Sequence, residues 1–142
     1  MNDSALALQG SVTGTLSATA TAGGISDSAA LAVSETSIFT DTANAGIDLG
    51  TLQSDGVVTL SGGNTVIVND SALALTGSLT GTLTATATAG GIIDSAALVV
   101  SGTSNFTDTA NAGITLDGLQ SNGAVTLSGG NTVIVNDSAL AL

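Results

Sequence analysis

The chain has 142 residues, a length that suits one domain, with 11 acidic side chains, no Lys, Arg or His, and a net charge of -11. Nucleic acid is excluded as a partner, because phosphate binding needs cations to displace counterions, and anionic membrane surfaces are excluded for the same reason. The lack of Cys removes disulfides and thiolate zinc sites, and no apolar run approaches the ~20 residues of a membrane helix.

Hydrophobic residues make up 43% of the chain and charged ones 8%. That is too apolar for a disordered acidic tail. Thr and Val favour strands, and 19 Gly mark many turns. Residues 2–4, Asn-Asp-Ser, predict a corner that opens onto a strand with Leu6 inward. The stretch NDSALAL recurs at 69–75 and 136–142. Next comes GTLSATATAGG, which recurs as GTLTATATAGG and alternates strictly. In the second copy this predicts Leu83, Ala85, Ala87 and Ala89 inward and Thr80, Thr82, Thr84, Thr86 and Thr88 outward. Gly23–Gly24 ends that strand at a corner, as do Gly62–Gly63, Gly90–Gly91 and Gly129–Gly130 farther on.

Residues 2–68 and 69–135 align without a gap and differ at twelve positions. Within each repeat the large apolar residues fall into three columns visited in rotation. The first is Leu6, Leu31, Leu52, Leu73, Leu98, Leu119 and Leu140. The second is Leu16, Phe39, Leu60, Leu83, Phe106 and Leu127. The third is Ile25, Ile47, Ile67, Ile92, Ile114 and Ile134. This rotation predicts an all-β fold, a parallel β-helix (β-solenoid) with three strands per coil, about 22 residues per coil and about six coils. The whole of 1–142 then reads as one solenoid segment: repeat 1 over 2–68, repeat 2 over 69–135 and the start of a third at 136–142. One immunoglobulin-like sandwich per repeat fits worse, since the rotating columns have no place in a Greek key. The differing positions Ser26/Ile93, Ile38/Asn105, Asp48/Thr115, Ala32/Val99 and Ser17/Thr84 flank column residues and are expected to face outward. A three-coil period would also hold matched carboxylates such as Asp3, Asp70 and Asp137 roughly 14 Å apart, beyond the ~8 Å screening length.

The run GTLTATATAGGIIDSAALVVSGTSNFTDTANAGITLDGLQSNGAVTLSGGNTVIVNDSALAL resembles the repeats of filamentous-haemagglutinin-like giant bacterial surface and secreted proteins. The resemblance covers nearly the whole chain and implies a right-handed β-helix. It also implies an extracellular or bacterial cell-surface setting, and a shaft or fibre role within an adhesin. Met1 stands where Val68 and Val135 stand in the other copies, so the chain reads as an excised segment with an inserted start. No basic region precedes an apolar stretch, so no signal peptide is expected. Open strand edges at both ends make other copies or further repeats of the same solenoid the expected partners, end to end.

Little in the chain points to chemistry. Calcium needs several oxygens converging on one ion, and no GGxGxD or DxDxDG loop occurs. Asp27, Asp94 and the Asn-Asp pairs read as corner residues, so no cofactor is expected beyond weak Ca²⁺ binding. Some β-helices cleave polysaccharides with paired carboxylates, but no Arg, Lys, His or Tyr is present here to position a substrate. No catalytic residue is expected, and the chain does not read as an enzyme. The alternative to a shaft is a ligand-binding module, for glycans or ice, on a Thr/Ser face made of Thr15, Ser17, Thr40, Thr59, Ser61, Thr82, Thr84, Thr107, Thr126 and Ser128. The triplets NDS and NFT match a glycosylation acceptor, and the repeated corner accounts for NDS.

Overall fold

The computed structural model describes residues 3–137, 139 and 140. The first repeat holds seven strands: β1 (Leu6–Val12), β2 (Leu16–Ala20), β3 (Ile25–Val33), β4 (Ser37–Asp41), β5 (Ile47–Ser54), β6 (Val57–Gly62) and β7 (Thr65–Asn69). The second holds seven more: β8 (Leu73–Leu79), β9 (Leu83–Ala87), β10 (Ile92–Val100), β11 (Ser104–Asp108), β12 (Ile114–Ser121), β13 (Val125–Ser128) and β14 (Thr132–Asn136). The odd-numbered strands form one seven-stranded sheet and the even-numbered strands another. Neighbouring strands pair in parallel, as in β1 with β3 and β2 with β4. The chain is therefore an all-β parallel β-solenoid of about six turns, counted from β1 to β13 along the odd-numbered sheet.

Each turn lays one strand in each sheet. Register partners lie 21 residues apart over most of the length, as Leu16 with Ser37, Leu31 with Leu52 and Leu83 with Ser104. They close to 17 or 18 where SGGNTVIV shortens the circuit, as Val58 with Leu75 and Ile47 with Thr65. Seven strands at two per turn make three and a half turns. The repeat is thus not three whole coils, and β8, the counterpart of β1, joins the opposite sheet. The reason lies in the long strands. In β3, Ile25 and Leu31 belong to two different columns, yet they sit on one strand either side of a register shift. Column visits therefore do not count turns. The half turn also moves Asp70 to the other side of the solenoid from Asp3, so charge separation along the axis is not what sets the period.

The columns are buried but do not stack on themselves. Leu31, Leu52, Leu73, Leu98, Leu119, Phe39, Leu60, Leu83, Phe106, Ile25, Ile47, Ile67, Ile92 and Ile114 all lie in the core. Leu6, Leu16, Leu127 and Ile134 are only partly buried, each on a terminal strand, and Leu140 is exposed. In register, Leu6 pairs with Ile25 rather than with another first-column Leu. Leu16 pairs with Ser37, and Phe39 sits between Ala18 and Leu60. Phe106 likewise sits between Ala85 and Leu127. The small Ala makes room for the ring of the next turn, which keeps the narrow core filled. Leu49, Leu75, Leu79, Leu116, Val33, Val58, Val100 and Val125 complete the core. Ala89 faces solvent, because β9 ends at Ala87 and the chain has already left the sheet. Of the differing positions expected to face outward, Ser17, Ile38, Asp48, Ile93, Asn105 and Thr115 are exposed, and Ser26, Ala32, Thr84 and Val99 are half-buried.

Candidate functional surface

The polar residues of each turn mostly hold the next turn in place. The carboxylate of Asp27 accepts the N–H groups of Gly50 (2.9 Å) and Thr51 (2.7 Å), one turn farther along. Asp94 repeats this with Asp117 and Gly118, both at 2.9 Å. Two carboxylates that sequence reasoning passed over are buried. Asp41 accepts from the N–H groups of Ala43 (3.1 Å) and Gly46 (2.7 Å). Asp108 accepts from Ala110 (3.0 Å) and Gly113 (2.6 Å). Each closes the tight TANAG corner, where Asn44 and Asn111 adopt φ of 55° and 56°, a left-handed conformation that Asn tolerates. The signal for this role was the sequence TDTANAG itself, an Asp two and five residues before the amides it binds.

Asn69 is fully buried. Its Oδ1 accepts the Ser54 N–H (2.7 Å), and its Nδ2 donates to the Ser54 carbonyl (2.9 Å), the Ala72 carbonyl (3.0 Å) and Ser71 Oγ (3.1 Å). The NDS triplet there is a buried corner clamp and cannot accept a glycan. Among the described residues, no buried side-chain nitrogen or oxygen lacks a hydrogen-bond partner.

The surroundings of Asp94 differ from those of its first-repeat counterpart Asp27. Where repeat 1 has Gly50 opposite Asp27, repeat 2 places the carboxylate of Asp117 beside Asp94. Burial raises the Asp94 carboxyl above the usual carboxylate range, two backbone N–H bonds oppose the rise, and the charge of Asp117 adds to it. A raised folded-state value means that the fold binds this proton more tightly than the unfolded chain does. The stability from Asp94 is fully present below the ordinary carboxylate value and is lost as pH rises through the raised one. In Asp117→Asn, the Asp94 midpoint followed by carboxyl ¹³C titration should fall, and the loss of stability as pH rises above the ordinary carboxylate range should shrink. An unmoved midpoint would show that Asp117 has no part in the shift.

The Thr/Ser residues singled out above do not form one face. Ser17, Thr40, Thr59 and Ser61 lie on even-numbered strands, whereas Thr84, Thr107, Thr126 and Ser128 lie on odd-numbered ones. Thr15 and Thr82 precede β2 and β9. The half turn per repeat divides the set between the two sheets. Within a sheet the rows are mixed: Ser17, Ile38, Thr59 and Thr76 stack in register on one. Ser26, Asp48, Val66, Thr84, Asn105 and Thr126 stack on the other. Ile38 and Val66 interrupt these rows with exposed apolar side chains.

Two shallow grooves follow the same half-turn relation. One, of about 290 Å³, is lined by Ala30, Gly50, Thr51, Leu52, Gln53, Val68, Asp70 and Thr88. The other, of about 200 Å³, is lined by Asp117, Gly118, Leu119, Gln120, Val135 and Asp137. Neither holds an aromatic side chain for sugar stacking. Among the described residues, no group of three or more His, Cys, Asp or Glu converges as a metal would require.

The family described as Repeats of unknown function (DUF5649) matches residues 1–61 and 62–128. The chain belongs to this family. The second match spans one full 67-residue period, and the two matches meet at the end of β6. The second match therefore holds seven strands, β7–β13, and is read from a different starting point than NDSALAL. No curated protein and no solved structure matches the chain.

Proposed function

We propose that this DUF5649 solenoid is a structural shaft: a rigid, extended segment of a bacterial cell-surface or secreted filamentous adhesin. One observation carries the reading. Two parallel sheets run through seven strands each without a break, and side chains such as Asp27, Asn69 and Asp94 tie one turn to the next. Such a body resists bending because any bend must open strand ladders and corner bonds together. The coil is taken as right-handed, in line with the strong preference for right-handed crossovers between parallel strands. The two arms of each long strand, divided at the register shift, are taken as two sides of a three-sided cross-section. The resemblance to filamentous-haemagglutinin repeats supports the extracellular setting, and the absence of Lys and Arg removes every trypsin site from an exposed fibre.

The test is dimensional. At about 4.8 Å per strand, each added 67-residue repeat should lengthen the rod by roughly 17 Å with an unchanged cross-section. Small-angle scattering from chains of two, four and six repeats measures this. A long dimension that grows more slowly, or a cross-section that thickens, would sink the shaft reading. Antibody labelling of intact cells that make the parent protein tests the location. Labelling only after permeabilisation would overturn it.

A further inference from the structure

We propose that Asn122 is a self-modification site: in the folded chain the backbone nitrogen of Gly123 closes a succinimide ring on the Asn122 side chain, and water opens the ring to aspartate or isoaspartate. This assigns a covalent reaction to the corner between β12 and β13, and it does not rest on the shaft reading.

Asn122 is the one Asn of the chain that precedes a Gly. The reaction is an intramolecular acyl transfer. The Gly123 nitrogen attacks Asn122 Cγ as it gives up its proton. The N–Cγ bond forms, the Cγ–Nδ2 bond breaks, and the side-chain amide leaves with that proton as ammonia. Water then adds to one of the two ring carbonyls. Addition at Cγ restores the ordinary main chain with aspartate at 122. Addition at the main-chain carbonyl leaves the chain running through Cγ, as isoaspartate. No cofactor, oxidant or second protein takes part. A side chain on the residue after Asn crowds the attacking nitrogen, and Gly has none.

The fold leaves the reacting groups available. Asn122 is exposed, and its side-chain amide has no hydrogen-bond partner among the described residues. The Gly123 N–H likewise donates to no protein group among them, so the ring removes no bond that the fold uses. The corner is held on either side of the reacting atoms. The Asn122 N–H donates to the Val100 carbonyl (3.1 Å), and the Ala124 carbonyl accepts the Ser104 N–H (2.9 Å).

The fold also fixes the reactive partner. A Cβ on Gly123 would sit 2.5 Å from the Gly102 carbonyl oxygen and 2.7 Å from the Thr103 nitrogen. Its counterpart Gly56 lies as close to the backbone of Glu35 and Thr36. Backbone of the preceding turn cannot step aside as a flexible side chain would, so the stacking of turns requires Gly here. Any Asn placed before it is reactive.

The aspartate product already exists in the chain. Repeat 1 reads Ser54-Asp55-Gly56 where repeat 2 reads Ser121-Asn122-Gly123. The Asp55 N–H donates to the Val33 carbonyl at the same 3.1 Å. Ser54 Oγ donates to the Gly56 carbonyl (3.4 Å) as Ser121 Oγ does to that of Gly123 (3.3 Å). Aspartate at 122 therefore fits the corner, with one more negative charge. Isoaspartate instead adds a methylene to the main chain between two held points.

The test is peptide mapping of the full chain after incubation in mildly alkaline buffer, once folded and once in urea. A protease that cuts before Asp releases residues 117–136. Aspartate at 122 adds a new cut there. Isoaspartate resists that cut but keeps the mass gain of O replacing NH. Both products are expected at 122, forming at least tenfold faster than at Asn105 or Asn131, and at a rate in the folded chain within about tenfold of that in urea. Asn122→Gln should abolish the gain at this site, since a six-membered ring closes far more slowly. Asn122→Asp should keep the wild-type denaturation midpoint. A folded chain protected by more than that margin, conversion spread evenly over the other Asn residues, or a gain that persists at residue 122 in Asn122→Gln would each overturn the proposal. A lowered midpoint in Asn122→Asp would overturn the fit of the product to the corner.

Discussion

Asn69→Ala is expected to lower the unfolding free energy by about 2–4 kcal/mol, because a buried donor stripped of its partner costs roughly 1–3 kcal/mol. The Ser54 N–H, whose side-chain partner is Asn69 Oδ1, lies in the core, and the Ala72 carbonyl loses the Nδ2 donor. The Ser54 carbonyl keeps a bond from Ser71 Oγ at 3.0 Å, which limits the damage. Asn69→Asp should be no milder. A carboxylate could accept the Ser54 N–H, but it would turn acceptors toward the Ser54 and Ala72 carbonyls in a dry site. The chain supplies its own control. Asn136 makes the matching bonds to Ser121, at 2.7 and 3.2 Å, but is only half-buried on the last strand. Asn136→Ala should therefore cost under about 1 kcal/mol by the same accounting. Urea denaturation of the two variants measures the difference. Equal losses would mean that the Asn69 clamp contributes nothing beyond an exposed corner.

Phe39→Ala is the second large effect, at about 3–5 kcal/mol. The ring is fully buried between Ala18 of the preceding turn and Leu60 of the next. Both neighbours are held by backbone ladders, so neither can move in to fill the space. The residual cavity is what pushes such a truncation to the upper part of its range. In a stack of turns each unit is stabilised mainly by its neighbours, so the lost packing should separate the turns on either side. Hydrogen exchange should quicken in β2, β4 and β6 more than in β10 and β12. Ile38→Ala, one residue away but exposed, should fall within about 0.5 kcal/mol of wild type. A Phe39→Ala loss no larger than that would mean that the core relaxes around the gap.

Much of the architecture was legible because burial and alternation are local. Leu83, Ala85 and Ala87 alternate with Thr84 and Thr86, and each falls on the expected side of β9. The Gly pairs stand at corners: Gly23–Gly24 separates β2 from β3, and Gly90–Gly91 separates β9 from β10. Fourteen of the nineteen column residues are buried, since large aliphatic side chains in a narrow solenoid have nowhere else to go. The five that are not belong to the ends, where the next turn is missing. Burial of Asp41 and Asp108 was hidden because an acidic side chain in an exposed-looking TDTANAG stretch reads as a solvated corner. Only the fold shows the amides of Gly46 and Gly113 turned back onto it.

The sequence by itself determined that the chain coils as a parallel solenoid with an aliphatic core, and that its two 67-residue repeats are structural equals. Period and hydrophobic pattern are properties of neighbouring residues, and they survive without coordinates. Only the tertiary structure decided how many turns a repeat makes. That number depends on which strands share a sheet, and therefore on the register shifts inside β3, β5, β10 and β12 and on the shortened turns at SGGNTVIV. Three and a half turns instead of three sends Thr84 and Ser17 to opposite sheets and dissolves the continuous Thr/Ser face.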